Sequence, residues 1–256
     1  MNKRVLAIGG HPDDMEQFAG GTLILLKKAG YKTIIAALTD GACGSKTASP
    51  HEIIEIRRSE SEKAAKKLGA DYINLGIRDG SIEYNLENTR KIAGLIRDVN
   101  PQIIITHPAK EDYMTDHWHT GALVLWAVPE AGHKNFETPS SSPVIEQQPY
   151  LYHTDPQSLV DTNGQIARVN TIVDISDVIE KKLDAFATHK SQMGFLFDTD
   201  TKGGEPAAAR KTRRWAITRG EQVRIEYGEG FTQELLAEYP RKNILAEIFP
   251  GKAYTL

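Results

Sequence analysis

The chain has 256 residues, a formal net charge of −3 and a single cysteine, Cys43. This length is enough to bury a sizeable core, and α/β folds of this size often form one domain. The small net charge does not point to a nucleic-acid partner, and one cysteine excludes an internal disulfide or a cysteine-based metal cluster. No apolar stretch approaches the roughly 18 residues of a membrane span. Because the first predicted strand leaves no room for a signal peptide, we expect a cytoplasmic protein.

The first element is an apolar run, Val5 to Ile8, which predicts a buried strand and ends at two glycines. The motif HPDD follows at residues 11–14, and apolar periodicity from Met15 to Leu26 then predicts a helix. Ligands bind at the carboxyl end of a strand in such a βαβ unit. The histidine and two carboxylates of this turn are therefore candidates for metal binding or proton transfer. A solvated helix start is the alternative, since Asp and Pro both favour it.

Strands and helices alternate through the first half of the chain. The further predicted strands are Thr33 to Leu38, Tyr72 to Leu75 and Ile103 to Thr106; the helices are His51 to Leu68, Leu86 to Val99 and about 117–127, with Asp116 as the last helix's N-cap. This alternation is typical of a parallel sheet with helices on both faces. Right-handed crossovers bring the strand-end loops to one edge of the sheet. We therefore expect the polar residues after the first and fourth strands to converge.

The second half has a less regular pattern. It predicts strands at Tyr150 to His153 and Val169 to Ile175, a helix from a Ser176 cap to His189, a linker at Thr201 to Glu205 and a basic helix over 206–219. No linker is long enough to separate a second domain. We predict one domain over 1–256, in which residues 1–130 form the core and residues 131–256 pack on it as an irregular extension.

The two polar loops contain the residue types of a hydrolytic metal site. Such a site needs about three protein ligands and an open position for water. The first loop has His11 and Asp14, three residues apart, and the loop after the fourth strand has His107, Asp112, Asp116, His117 and His119. Asp13 is then free to act as a general base toward metal-bound water. Residue types alone leave the third ligand open.

The motif HPDD, followed by Glu16 and GGT at 20–22, resembles the opening motif of the PIG-L/LmbE-like zinc-dependent N-deacetylases. Further resembling blocks span nearly the whole chain: LTDG at 38–41, RRSE at 57–60, DG at 79–80, DH at 116–117, HKSQ at 189–192 and YGEGF at 227–231. The resemblance implies a single-domain, Rossmann-like α/β fold. It also implies removal of an acetyl group from an N-acetylglucosaminyl-type sugar or a related small amide.

The family pattern also assigns roles to the polar residues. It implies that His11, Asp14 and His117 hold one Zn²⁺ per chain and that Asp13 is the general base. A site of two histidines and one aspartate can also hold iron, cobalt or manganese.

The resemblance extends to the substrate contacts. Arg57 matches the position of the family's substrate-contacting arginine, and its alternative is a surface residue paired with Glu60 or Glu62. We also expect Asp40, Tyr113 and His189 to contact substrate.

One departure from the family pattern falls at residue 114. The family commonly has HPDH there, and its first histidine stabilises the oxyanion or protonates the leaving amine; this chain has MTDH at 114–117. A methionine cannot donate a proton, and loss of such a donor typically costs about 10²–10³ in rate. We expect His119, the nearest histidine, to act as the catalytic acid. Other candidates are His107, His153, Lys110 and Tyr113.

Two other functions stay open. Met114 raises the possibility of a zinc- and carbohydrate-binding family member with weak or lost catalysis. A metal-free nucleotide-binding protein is disfavoured because the first loop lacks G-x-G-x-x-G and its two acids would repel a pyrophosphate. The expected partner is a small acetylated substrate, with neither nucleic acid nor membrane, and the family precedent is compatible with a homo-oligomer.

Overall fold

The computed structural model describes residues 2–110, 112–161, 163–193, 206–236 and 238–256. Within these ranges, eight strands form one sheet in the order β3-β2-β1-β4-β5-β7-β6-β8. The strands are β1 Arg4–Gly9, β2 Lys32–Thr39, β3 Asp71–Ile77, β4 Ile103–Thr106, β5 Tyr150–Thr154, β6 Thr171–Asp174, β7 Gly228–Gln233 and β8 Ala253–Thr255.

Helices connect these strands and cover the sheet. They are α1 Asp14–Lys28, α2 Pro50–Leu68, α3 Leu86–Val99, α4 Thr115–Gly132, α5 Ile179–Phe186, α6 Lys190–Met193, α7 Ala207–Val223 and α8 Ile244–Ile248, with short 3₁₀ turns at Gln157–Leu159 and Ser176–Val178. The predicted bounds of α3 and β4 are the observed ones. No helix in the described part of the chain is long and apolar enough to cross a membrane.

Strands β3, β2, β1, β4 and β5 are parallel, and β7, β6 and β8 continue the sheet in antiparallel pairings. The predicted α/β fold, with a parallel sheet and helices on both faces, is confirmed. The second half is more regular than predicted, because its strands extend the same sheet. The sequence pattern does not predict strand β7, because two of its six residues are glycines, which have low β propensity.

Strand β1 is buried on both faces, which explains its unbroken apolar sequence. Val5 and Ala7 contribute to one core with apolar residues of α1, α5 and α7, whereas Leu6 and Ile8 contribute to the other with those of α3 and α4. Since β1 lies between β2 and β4, its carboxyl end is at the centre of the parallel part of the sheet. The HPDD turn emerges at that point.

Two predicted helix caps are wrong. Helix α4 begins after Met114, two residues earlier than predicted, and the Asp116 carboxylate accepts a hydrogen bond from the Gly80 backbone (2.9 Å) rather than capping the helix. Ser176 caps no helix, because its hydroxyl accepts from the Tyr227 backbone (3.2 Å). The predicted helix from 176 to 189 is broken into a 3₁₀ turn and α5, with His189 just before α6. The linker predicted at Thr201 to Glu205 lies outside the described residues.

Candidate metal centre and active site

The turn between β1 and α1 has an unusual backbone. Asp13 is the N-cap residue of α1, but its side chain makes no capping hydrogen bond and its φ is 133°. A non-glycine residue in such a conformation costs about 1–3 kcal/mol and is typical of functional sites. A Cβ atom on Gly9 would lie 2.8 Å from Cβ of Asp14, so glycine is required for this close approach. The alternative of an ordinary helix cap does not account for this turn.

The loop after β4 brings its polar residues to the same place. Because β1 and β4 are adjacent and parallel, His107 follows β4 directly beside the HPDD turn. Nε2 of His107 lies 2.8 Å from Oδ2 of Asp14, and Nε2 of His117 lies 3.4 Å from Oδ1 of the same carboxylate. The predicted convergence of the two loops is therefore observed.

His11, Asp14 and His117 are buried and offer three ligand atoms that lie within 4.8 Å of one another. Nδ1 of His11 and Nε2 of His117 both face the Asp14 carboxylate, at 3.5 and 3.4 Å. Two imidazole nitrogens and one carboxylate oxygen are the donor set of a catalytic zinc or related transition-metal site. These three residues fit a divalent metal ion.

The outward-facing nitrogen of each histidine is held by carboxylates. Nε2 of His11 lies 3.2 Å from Asp79 and 3.5 Å from Asp116, and Nδ1 of His117 lies 3.2 Å from Asp112. Such carboxylate–histidine pairs fix the tautomer and orientation of a metal ligand. Two further sets satisfy the same distance limit, His107–Asp112–His117 and His11–Asp79–Asp116. The arrangement favours the first set, because the carboxylates of the other two then serve as supports.

The electrostatics of the cluster are those of a cation site. Burial raises the pKa of Asp14, but His117 and His107 outweigh it and hold that pKa well below its usual value. Burial lowers the pKa of His117, but Asp14 and Asp112 outweigh it and raise the pKa to about 9. For His11, hydrogen bonds to Asp116, Asp14 and Asp79 likewise outweigh burial, and its pKa is raised well above the ordinary value. In the metal-free protein, the protons on His11 and His117 supply the positive charge that a metal ion would supply when bound.

Asp13 is buried beside the ligands, and Arg57 holds it. Nη2 of Arg57 donates to Oδ1 of Asp13 (3.2 Å) and to the Pro12 carbonyl (2.8 Å). Burial raises the pKa of Asp13 to about 6, although the Arg57 charge lowers it. The alternative of Arg57 as a surface residue is wrong, because it is 3 % exposed. Its predicted contact with substrate stays a prediction.

A cavity of about 120 Å³ opens on this cluster. It is lined by the ligands and Asp13 together with Gln17, Cys43, Gly44, Arg57, Asp79, Met114, Gln157 and Gln192. Met114 therefore lies at the cavity, where the family pattern has a histidine. Larger cavities of about 660 and 790 Å³ lie elsewhere but are not lined by the ligands, so chemistry rather than size identifies the site.

Four predicted site residues do not line this cavity. Nδ1 of His119 faces the Ile82 carbonyl, since two residues along a helix turn a side chain about 200° away from His117. The structure thus gives His119 no contact with the reacting groups, contrary to its expected role as the acid. Asp40 accepts from the Ala42 and Asp79 backbones and so orders its own loop.

The other two are His189 and Tyr113. His189 is fully buried, and its Nε2 lies 3.4 Å from Glu16. Tyr113 is 73 % exposed.

Sequence reasoning gave no role to Asp79, Gln157 or Gln192, which all line the cavity. Asp79 comes after β3 and belongs to the quoted DG block, so its position at a strand end was a usable signal. Gln157 lies in a 3₁₀ turn after β5, and no sequence pattern pointed to it.

A Rossmann-like sheet with a candidate metal site of two histidines and one aspartate at its carboxyl edge is the arrangement of a metal-dependent α/β enzyme. The model of the PIG-L family, described as GlcNAc-PI de-N-acetylase, matches residues 6–128. Diacetylchitobiose deacetylase of Thermococcus kodakarensis is 34 % identical over 196 residues, which cover 74 % of this chain and 70 % of that protein. A probable N-acetyl-alpha-D-glucosaminyl L-malate deacetylase 2 of Bacillus cereus is 30 % identical, with 84 % and 94 % covered.

A solved structure agrees with these relatives. The N,N'-diacetylchitobiose deacetylase from Pyrococcus horikoshii, complexed with its inhibitor MPG, has a TM-score of 0.78 and 28 % identity, with 94 % of this chain and 88 % of that chain covered. The chain belongs to the PIG-L family of de-N-acetylases. The resemblance in the sequence motifs is confirmed, and the protein is an enzyme of this hydrolytic family.

Proposed function

We propose that this protein is a zinc-dependent N-deacetylase that releases acetate from an N-acetylglucosaminyl-type sugar or a related small amide. The observation that carries the proposal is the buried set of His11, Asp14 and His117 with Asp13 beside it, all of which line one cavity. The deacetylase names of the relatives from Thermococcus and Bacillus support this substrate class. A cavity of about 120 Å³ suits an acetamido group, with the rest of the sugar outside, since pockets that enclose a whole ligand measure about 300–1,000 Å³.

His11, Asp14 and His117 would hold the metal ion. When bound, a divalent ion lowers the pKa of water toward neutrality and polarises the acetyl carbonyl. Asp13 accepts the proton of the water that attacks the carbonyl carbon, and Arg57 keeps its carboxylate in place through the bond at Oδ1. A base with a pKa near 6 is deprotonated at neutral pH but still releases its proton readily.

The leaving nitrogen must be protonated when the carbon–nitrogen bond breaks. Met114 cannot supply that proton, and His119 does not line the cavity. Two other titratable groups line the cavity. The pKa of the Asp79 carboxyl is below its usual value, and the pKa of the Cys43 thiol is raised, chiefly by burial. We assign the transfer to Asp13, which delivers to the amine the proton it took from water.

The experiment is a fluorescamine assay for free amine, with zinc-loaded protein and a panel of N-acetylglucosamine, N,N'-diacetylchitobiose and N-acetylglucosaminyl malate. We expect amine from at least one substrate, and none from His117→Ala or Asp13→Ala. If the protein binds metal but releases no amine from any substrate of the panel, the result would favour the alternative of a family member with weak or lost catalysis. In that case Met114→His should restore turnover. If it does not, the true substrate lies outside the class that the panel represents.

A further inference from the structure

We propose that His107 is a positioning residue that holds two metal ligands, Asp14 and His117, and is not itself a ligand. This inference rests on the proposed metal site. His107 is the first residue after β4 and is fully buried. It contacts Asp14 through a hydrogen bond and His117 through its ring, so one side chain from the second loop fixes a ligand from each loop.

The hydrogen bond determines which carboxylate oxygen is free. Oδ2 of Asp14 accepts from the His11 backbone N–H (2.6 Å) and lies 2.8 Å from Nε2 of His107. Two donors on Oδ2 leave the lone pairs of Oδ1 for the metal; Nε2 of His117 lies 3.4 Å from Oδ1, and Nδ1 of His11 lies 3.5 Å from Oδ2. Without the His107 donor, the carboxylate could rotate and present either oxygen. His107 thereby selects one ligand atom.

The ring of His107 supports the second ligand. It lies parallel to the His117 ring, with 4.0 Å between centroids and 7° between planes, and the edge of Phe18 packs on it at 5.5 Å. Asp112 fixes His117 within its own plane through Nδ1 (3.2 Å), whereas the His107 face prevents tilting out of that plane. The two contacts together define the direction of the His117 ligand atom.

The tautomer needed for this role argues against metal binding at Nε2. Nε2 must carry its proton to donate to the Asp14 carboxylate, so Nδ1 of the neutral ring is unprotonated. Nδ1 is buried and has no hydrogen-bond partner among the described residues. A metal at Nε2 would displace the proton that holds Asp14 and would separate the Asp112 support from His117. More hydrogen bonds are kept when His107 donates to the Asp14 carboxylate than when it binds the metal at Nε2. Loss of such a support typically costs 10–100-fold in metal affinity.

The test compares His107→Gln with His107→Leu in the full chain. The amide nitrogen of glutamine can replace Nε2 as a donor, whereas leucine of similar bulk cannot. Zinc affinity of the stripped proteins is measured by competition with a chromophoric chelator, and the absorption of bound Co²⁺ reports the ligand geometry. His133→Gln is the matched control, because His133 is exposed at the end of α4. His11→Ala is the reference for a lost ligand.

We expect His107→Leu to bind zinc 10–100-fold more weakly with a shifted Co²⁺ spectrum, His107→Gln to recover most of the affinity, and His11→Ala to bind far more weakly than either. Equal losses in His107→Gln and His11→Ala would make His107 a ligand and overturn the proposal. Wild-type affinity in His107→Leu would also overturn it. Metal binding by the wild type without amine release would remove the proposed function only, while no metal binding at all would overturn both.

Discussion

Asp13 has a backbone and a side-chain environment that both cost free energy. Its φ of 133° is rare for any residue except glycine, and its carboxylate is buried next to that of Asp14. Capping cannot explain this cost, because the side chain caps nothing. A residue held in this way is typical of functional sites, and the Arg57 charge lowers the pKa of the Asp13 carboxyl against the effect of burial.

The first prediction is that Asp13→Asn loses at least about 10²-fold in kcat/KM for amine release, because an amide cannot accept a proton from water. Zinc content should stay at the wild-type level, since Asp13 is not one of the three ligands. Metal analysis and the fluorescamine assay on one preparation measure both. Asp71→Asn, which changes an exposed carboxylate, is the matched control. Full activity in Asp13→Asn would contradict the assignment of the base.

The second prediction concerns the pH dependence of metal affinity. With a pKa of about 9 in the metal-free protein, His117 must release a proton before it can bind a metal, and the raised pKa of His11 adds to this requirement. Apparent zinc affinity should therefore rise about tenfold or more per pH unit between pH 6 and 8. Titration calorimetry in buffers of different ionisation enthalpy measures the protons released. An affinity that does not change over this range would be inconsistent with these ligands.

The candidate ligands could be named from the sequence, whereas the contacts that support them could not. His11 and Asp14 follow β1 within five residues, whereas residue types left the third ligand open and only the resemblance to the family's second motif pointed to His117. Asp112 and Asp79 support those histidines across distances that only the folded chain defines. Arg57 shows the same limit: it lies on a helix with exposed neighbours, and only the structure shows it buried against Asp13.

At the scale of elements, the packing of α4 on the loop after β4 sets the site. A Cβ atom at Gly121 in this helix would lie 2.4 Å from the carbonyl oxygens of His107 and Pro108. Backbone atoms cannot yield as a flexible side chain can. The helix and the loop are therefore in direct backbone contact at the residues next to the proposed metal centre.

The third prediction is that Gly121→Ala destabilises the protein and weakens zinc binding. Overpacking of this kind costs about 1–3 kcal/mol, which outweighs the gain of about 1 kcal/mol in helix propensity. Gly132→Ala in the same helix is the control, because its Cβ would meet its nearest neighbour at 3.6 Å, an ordinary contact. Thermal unfolding and zinc competition compare the two. Equal stability of the two variants would mean that the loop after β4 shifts freely to make room for the added Cβ atom.

The bounds of helices and strands were predictable where the residues of the element itself determine them. Helix α2 is such a case, because its predicted end at Leu68 is the observed one and Gly69, with φ of 78°, stops the helix there. Asp116 misled the prediction because a first-turn acid suits a cap equally well, whereas its true partners, Gly80 and His11, come from other loops. Strand β7 depends on its two neighbours in the sheet rather than on its own residues.

For the whole molecule, a metal at the junction of two loops should couple to folding. The fourth prediction is that zinc raises the melting temperature of the stripped protein, since a ligand at 1,000 times its Kd adds about 4 kcal/mol to the free energy of unfolding. His117→Ala should show little of this rise. Scanning calorimetry with and without zinc measures it. A rise of equal size in both proteins would place the zinc elsewhere.

The metal content of the purified, dialysed protein tests the proposed ligands most directly; it is determined by mass spectrometry beside His11→Ala and His117→Ala. We expect about one divalent transition metal per chain in the wild type and a small fraction of that in each variant. A wild type without bound metal, or variants that keep a full equivalent, would contradict the assignment of His11, Asp14 and His117 as the metal centre.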